Sequence, residues 1–399
     1  MYTYNSIPEA LNDLKQGKMI VITDDESREN EGDIVMAAEF ATTETINFMA
    51  CFAKGLICMP MDEATTKKLG LSPMTRENTD PHATAFTESI DHIDTGTGIS
   101  AAERALTAQK VVGADAKPSD FQRPGHMFPL VAKEQGVLVR PGHTEATVDL
   151  MRLSGLSPVG ICCEIMDDDG LMMKTPKLME FAKTHDLKFI TIEALIKYRL
   201  AHDYPVTKKA STKFPTRFGN FTLHAYYDEL AKTEHLALTL GDISTSPPVL
   251  ARVHSECLTG DALGSLRCDC GNQYDAAMEK IAAEGRGVLI YLRQEGRGIG
   301  LLNKIKAYEL QDTGLDTIEA NLALGFPEDM RSYAVAANML KDLSIHKVKL
   351  MSNNPDKTRQ LESYGITVSE HVPIQTSACA DNMFYLKTKQ EKMGHDLHL

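Results

Sequence analysis

Three cysteines, Cys257, Cys268 and Cys270, fall within one short stretch, HSECLTGDALGSLRCDCG, with the spacing C-x10-C-x-C. A thiolate is a soft metal ligand, and three protein ligands with one position left open is the layout of a catalytic zinc. Asp269 alone separates Cys268 from Cys270, so an extended turn can point both sulfurs to one side. Cys257 ends the strand-like run VLARVHSEC, and a glycine-bearing loop leads on to the other two. Buried free thiols are the plain alternative, since cysteine is a common core residue. The neighbours His254, Glu256, Arg267 and Asp269 are not those of a core, and no further Cys or His closely follows Cys270. A zinc with water in its fourth position fits this pattern better than a closed structural site.

A second concentration of chemistry is DDESRENEGD, residues 24–33, which crowds acids around Arg28 after the apolar run MIVIT. Such a run can be a solvated loop. It can also hold Mg²⁺, because hard oxygen ligands beside an Arg suit a sugar phosphate. RPGHMFPL at 123–130 and LVRPGHTEA at 138–146 each place Arg-Pro-Gly-His after turn signals. A repeated His at the end of a glycine turn suggests site loops, although either one alone would suit a structural role. Finally, QEGRGIG follows the strand-like GVLIYLR and opens the helix-like LLNKIKAYEL, so its amides suit an anion. Gly296, Gly298 and Gly300 are spaced G-x-G-x-G, which is not the dinucleotide fingerprint G-x-G-x-x-G.

Residues so far apart must be positioned by more than one core. At 399 residues the chain implies two or three domains. Short apolar runs (GKMIVITDD, GVLVRPG, PVGICCEIMDDDG) alternate with amphipathic stretches such as ATTETINFMACFAKG, which predicts mixed strands and helices. The start reads as a helix entered through Ser6 and Pro8, with Ile7, Leu11 and Leu14 on one face. The polar, basic TKKASTKFPTRFGN shows no apolar periodicity and reads as a linker near Lys208. The fold class expected is α/β (α+β), two mixed α/β catalytic domains at 1–202 and 203–399 joined by a short polar linker. A net charge of −13 opposes general affinity for nucleic acid. No apolar run is long enough to span a membrane, and no secretory signal is evident. Eight irregularly spaced cysteines do not form a secreted disulfide framework, so a cytoplasmic setting is expected.

The cysteine stretch resembles the zinc motif of GTP cyclohydrolase II. The resemblance runs on through PTRFGNFTLHAY, YLRQEGRGIGLLNKIKAYELQDTGLDTIEAN, LGFPEDMRSY and SNNPDK to YLKTKQEKMGH. It implies hydrolytic opening of the GTP imidazole ring, with release of formate and pyrophosphate. A bound metal suits this, because it lowers the pKa of its water toward neutrality. By resemblance Cys257, Cys268 and Cys270 hold zinc, Asp329 accepts a proton, Arg331 acts at the α-phosphate and Tyr308 lies near the reacting ring. Arg331 is better suited to orienting the phosphate than to attacking it, since its pKa exceeds about 12. The GTP contacts implied are Arg252, Val253, His254, Ser255, Glu256, Gln273, Glu295, Gly296, Arg297, Thr317, Ser352 and Lys357.

The first half, through TAFTESID, TGISAAERA, GICCEIM and the two RPGH segments, resembles 3,4-dihydroxy-2-butanone 4-phosphate synthase from about Met1 to about His202. That family converts ribulose 5-phosphate to the butanone phosphate and formate, which requires a general base and an electrophile for an enediolate. The resemblance implies that Glu29 and His143 ligate Mg²⁺, with Mn²⁺ able to substitute because imidazole suits transition metals. Arg28 and Asp33 contact substrate. Arg140, Pro141, Gly142, His143 and Thr144 cradle its phosphate. By the same resemblance Glu164, also against the substrate, and His126 are the essential acid/base candidates. Gly96 in HIDTGTGIS departs from a threonine-rich pattern at that place. Both families imply a homodimer, with the first site completed across its interface. Two other readings stand beside this one: a half that has become a regulatory module, and a structural zinc domain binding nucleic acid. The net charge, the missing fourth ligand and the lack of a basic aromatic patch oppose the second.

Overall fold

The computed structural model describes residues 4–244, 248–374, 379 and 382–393, and the chain divides into two units, Met1–Arg199 and Leu200–Leu399. The last residues of the YLKTKQEKMGH motif, 394 and 395, lie outside the described residues. Among those described, no helix is long and apolar enough to cross a membrane.

The first unit carries β1 (Ile20–Thr23), β2 (Gly32–Ala37), β3 (Cys58–Met61), β4 (Ile90–His92), β5 (Phe121–Val131), β6 (Gly160–Glu164) and β7 (Lys188–Thr191). They form one mixed sheet in the order β4-β5-β3-β6-β2-β1-β7. Its strands are apolar on both faces. Val21, Ile34 and Met36 belong to one core, while Ile20, Ile22 and Val35 belong to the core on the other side. That double burial is why these segments read as continuous apolar runs and not as alternating ones. The helix Ile7–Lys15 begins at Ser6, whose side chain and that of Glu9 form a capping box, and it buries Ile7, Leu11 and Leu14 as expected.

The second unit carries β8 (Val206–Thr216), β9 (Gly219–Asp228), β10 (Thr233–Leu240), β11 (Val249–Ser255), β12 (Gly287–Leu292), β13 (Lys347–Met351) and β14 (Thr367–Val372). The sheet order is β14-β13-β11-β12-β10-β9-β8. Strands β13, β11 and β12 run parallel, so their carboxyl ends share one edge. In open α/β sheets that edge is where ligands bind.

Three expectations are corrected. TKKASTK is not a linker: Val206–Thr216 is the edge strand, paired with β9 along its length. Its residues are almost all exposed, so apolar periodicity is absent, and its lysines guard an open edge. The connection between the last helix of the first half, Ile192–His202, and β8 is residues 203–205. GVLVRPG is not a strand, since Gly136–Leu138 is a single 3₁₀ turn. Of the two RPGH segments, only the second is a turn into a helix; the first lies inside β5.

Candidate active sites

In the first unit the acidic stretch is the connection between the antiparallel strands β1 and β2. Asp24 organises it. One oxygen accepts the Glu31 amide at 2.9 Å, and the other accepts the Glu29 amide at 3.0 Å and Arg28 Nη1 at 2.9 Å. Arg28 also pairs with Glu29 at 2.9 Å. His143, the first residue of the helix His143–Leu153, comes from far along the chain to face this loop. Its Nδ1 is 3.5 Å from Glu29 Oε2 and its Nε2 is 3.9 Å from Asp33 Oδ1. Asp24, Glu29 and His143 thus gather donor atoms within 4.8 Å of one another. Asp33 Oδ1 and His143 Nε2 are buried without a hydrogen-bond partner, an arrangement that costs free energy unless something fills it. Carboxylate and imidazole donors around such orphaned atoms fit Mg²⁺ or Mn²⁺.

Glu164 is the direct cross-strand partner of Asp33, in β6, so both carboxylates project from the same face. Its Oε2 accepts the Leu56 amide at 2.9 Å. A Cβ at Gly55 would lie 2.7 Å from that oxygen, which explains a glycine there. Burial, then the charge of Asp33, pushes Glu164 up to about 7. Burial, against the attraction of His143, pushes Asp33 up to about 6. His143 is raised to about 9: burial works against its charge, but Asp33 and Glu29 outweigh it. Burial would raise Glu29 also, yet His143 and Arg28 hold it down at about 2. Carboxyls that titrate near neutrality are suited to proton transfer.

Gly142 precedes the helix without a side-chain cap, so the first amides, at His143 and Thr144, have no intrahelical partner. Arg140 lies beside them, donating to Glu145, to the His82 carbonyl at 3.0 Å and to Thr84 Oγ1 at 3.1 Å. Pro141 starts the turn. His126, in β5, has its Nδ1 held by Asp91 Oδ2 at 2.7 Å, and its side chain is 43% exposed. Gly96 donates its amide to Glu103 at 2.7 Å, and a Cβ there would stand 3.2 Å from the same oxygen. The glycine relieves that contact, while Thr97 and Ser100 keep hydroxyls on Glu103.

In the second unit the three thiols meet where β11 ends. Cys257 caps the short helix Leu258–Asp261, and Cys270 begins the helix Cys270–Glu284 instead of lying in an extended turn. Their sulfurs lie within 4.8 Å of one another, with Cys257 and Cys268 at 3.6 Å. A Cβ on Gly260 would come within 2.9 Å of Cys268 Sγ and 3.2 Å of Cys257 Sγ. The missing side chain therefore leaves the sulfurs a common space, and a soft tri-thiol set fits zinc. Hydrogen bonds from Cys268 and Cys270 pull the Cys257 thiol far down, and the same sharing pushes Cys268 up to about 11.

The thiols line a cavity at this edge of the sheet. Arg252, His254, Ser255 and Glu256 reach it from β11 and its end, and Gln273 from the following helix. Glu295, Gly296, Arg297 and Tyr308 come from the segment after β12, and Ser352 and Lys357 from the segment after β13. Thr317 and Arg331 complete the expected set. Asp329 and Val253 are not among the lining residues. Asp329 is tied to Arg331, whose Nε donates to both its oxygens at 2.9 and 3.1 Å. Val253 lies in the core, its carbonyl accepting Lys357 Nζ at 2.7 Å. Arg252 is buried and bonds Gln273 Oε1 at 2.6 Å, while Gln273 in turn bonds Asp269 of the cysteine loop.

Sequence reasoning missed Asp24, Asp91, Gly260, Thr259 and Lys304. Asp24 sits in the quoted acidic run, and Lys304 stands four residues before Tyr308 on one helix, a spacing that places both on one face. Nothing local marks Asp91.

The family model for 3,4-dihydroxy-2-butanone 4-phosphate synthase matches residues 8–198, and that for GTP cyclohydrolase II matches residues 207–373. Riboflavin biosynthesis proteins named RibBA from Bacillus cytotoxicus and Bacillus mycoides are each 55% identical over 396 residues, 99% of this chain and 100% of theirs. The chain belongs to the RibBA family. It is a bifunctional enzyme of riboflavin biosynthesis, with a 3,4-dihydroxy-2-butanone 4-phosphate synthase in the first half and a GTP cyclohydrolase II in the second. A solved two-domain 3,4-dihydroxy-2-butanone 4-phosphate synthase from A. baumannii matches the fold with a TM-score of 0.62 and 34% identity, covering 94% of this chain and 100% of its own.

Proposed function

We propose that the two reactions run at two chemically independent sites, one built for a hard cation and one for a soft one, in domains 1–202 and 203–399. In the first, Glu29 and His143 hold Mg²⁺ or Mn²⁺ while Asp24 fixes the loop. A cation bound there supplies the electrophile that an enediolate requires. Arg28 and Asp33 face ribulose 5-phosphate. Arg140 and the helix start at 141–144 receive its phosphate. Glu164, titrating near neutrality beside Asp33, moves the proton next to the carbonyl. His126, half exposed on Asp91, is the acid/base partner that a second copy would receive, which supports a homodimer.

In the second site Cys257, Cys268 and Cys270 hold zinc, which supplies an acidified water for hydrolysis at C8 of GTP. Arg297, Arg331 and Lys357 orient the phosphates, and Asp329 keeps Arg331 in place and accepts a proton. Arg252, His254, Ser255, Glu256 and Gln273 face the base and ribose, as do Glu295, Gly296, Thr317 and Ser352, while Val253 supports them from the core through its carbonyl on Lys357. Tyr308 supplies a proton to the opening ring. The enzyme works in the cytoplasm, on small molecules.

The observation that carries this reading is the set of three sulfurs around the space left by Gly260, at the carboxyl edge of three parallel strands. Cys268→Ser tests it. Zinc content and formate release from GTP should both be lost, by at least about 100-fold in rate, while formate release from ribulose 5-phosphate persists. Ring opening at the original rate by zinc-free Cys268→Ser would refute it.

A further inference from the structure

Lys304 stands at a junction that none of these roles uses. On the helix Leu301–Asp312 it shares a face with Tyr308. Its ammonium donates to Cys257 Sγ at 3.1 Å, Thr259 Oγ1 at 2.9 Å and Glu295 Oε1 at 2.7 Å. An ammonium has three hydrogens and no lone pair, so these contacts commit all of them. Glu295 is fixed in turn, accepting the Leu258 amide at 2.7 Å and its neighbouring Gly296 amide at 3.0 Å. The Lys304 and Glu295 side chains are only 12% and 9% exposed, so water competes little for these bonds.

The polarity of the next link follows. Thr259 Oγ1 receives a hydrogen from Lys304, so its single proton is free to go elsewhere. Its neighbours are Tyr308 Oη at 3.2 Å and Cys257 Sγ at 3.6 Å. The sulfur is farther and already takes a hydrogen from Lys304. In the arrangement in which Thr259 donates to the nearer atom, Tyr308 Oη, the tyrosine's own O–H is left to the cavity that Tyr308 lines with Cys257 and Cys268. The Arg267 guanidinium, 5.0 Å from the ring centroid, holds the ring from another side.

We propose that Lys304 and Thr259 are positioning residues for GTP ring opening: Lys304 holds Cys257 in place for the metal and, through Thr259, commits the Tyr308 hydroxyl to donating its proton into the GTP cavity. The proposal rests on the reading of Cys257 as a zinc ligand and Tyr308 as the ring's proton donor. When Tyr308 gives its proton to a nitrogen of the opening ring, the O–H bonding pair stays on Oη. The resulting phenolate faces the Thr259 hydroxyl, backed by the ammonium, until water returns the proton.

The test uses the full chain with Thr259→Val, Thr259→Ser and Lys304→Met, and Cys268→Ser as reference. Zinc retained against a graded chelator is measured alongside kcat and KM for formate release from GTP. Thr259→Val should keep its zinc, lose kcat by about 10-fold or more and hold KM within about twofold. Thr259→Ser, which restores the hydroxyl, should recover most of that loss. Lys304→Met should retain zinc about 10- to 100-fold less tightly. The proposal is overturned if Thr259→Val turns over like the original protein, if Thr259→Ser is no better than Thr259→Val, or if Lys304→Met holds zinc as before. Retention of zinc and ring opening by Cys268→Ser would instead sink the underlying zinc reading. Loss of both in that variant, with the other three unchanged, overturns the present inference alone.

Discussion

Asp33 and Glu164 face each other across β2 and β6, both withdrawn from water; burial raises both, and the charge of Asp33 makes Glu164 harder still to ionise. Glu164, near 7 in the folded protein against 4.5 ordinarily, binds more protons folded than unfolded between those values. Stability must therefore fall as pH rises through that window. In chelator-treated protein, Glu164→Gln should melt above the original at pH 8, by about 1–3 kcal/mol of stability. The difference should shrink toward pH 5, while formate release from ribulose 5-phosphate is lost at both. Equal melting at both pH values would show that Glu164 ionises normally. Such a cost is expected where a site trades stability for a poised acid/base group.

The elements show why some of this was legible in the sequence and some was not. Three thiols within one stretch could be read directly, because one short helix and the next helix start bring them together without help from the rest of the fold. Glu29 and Asp33 share a loop, but His143 and Glu164 arrive from a distant helix and strand, and only a family resemblance joined them. Asp91 carries no local mark, since its partner His126 lies 35 residues further along the chain, in β5. The strand at 206–216 was misread because an edge exposed on both faces has no apolar period to show. Gly260 has its own test. Gly260→Ala places a Cβ against the Cys257 and Cys268 sulfurs, so zinc retention should fall about 10-fold or more. The thermal transition of the first domain should not move. Zinc held as tightly in Gly260→Ala as in the original would mean the sulfurs do not close around that space.

At the scale of the whole chain, each unit has its own sheet and its own cores, so each should fold alone. A cut at residues 203–205 severs neither the helix Ile192–His202 nor β8. A second half starting at 203 keeps β8 and should be soluble and open GTP. One starting at 217 strips β8 from β9, bares an unprotected edge, and should aggregate. Equal solubility of the two would show that β8 is dispensable. The central claim, two sites of different metal chemistry in one chain, is tested most directly by formate release from each substrate in one preparation stripped of zinc and replete in Mg²⁺. Ribulose 5-phosphate turnover should be unchanged and GTP turnover absent until zinc is returned. Persistence of GTP ring opening without zinc, or parallel loss of both activities, would contradict the account.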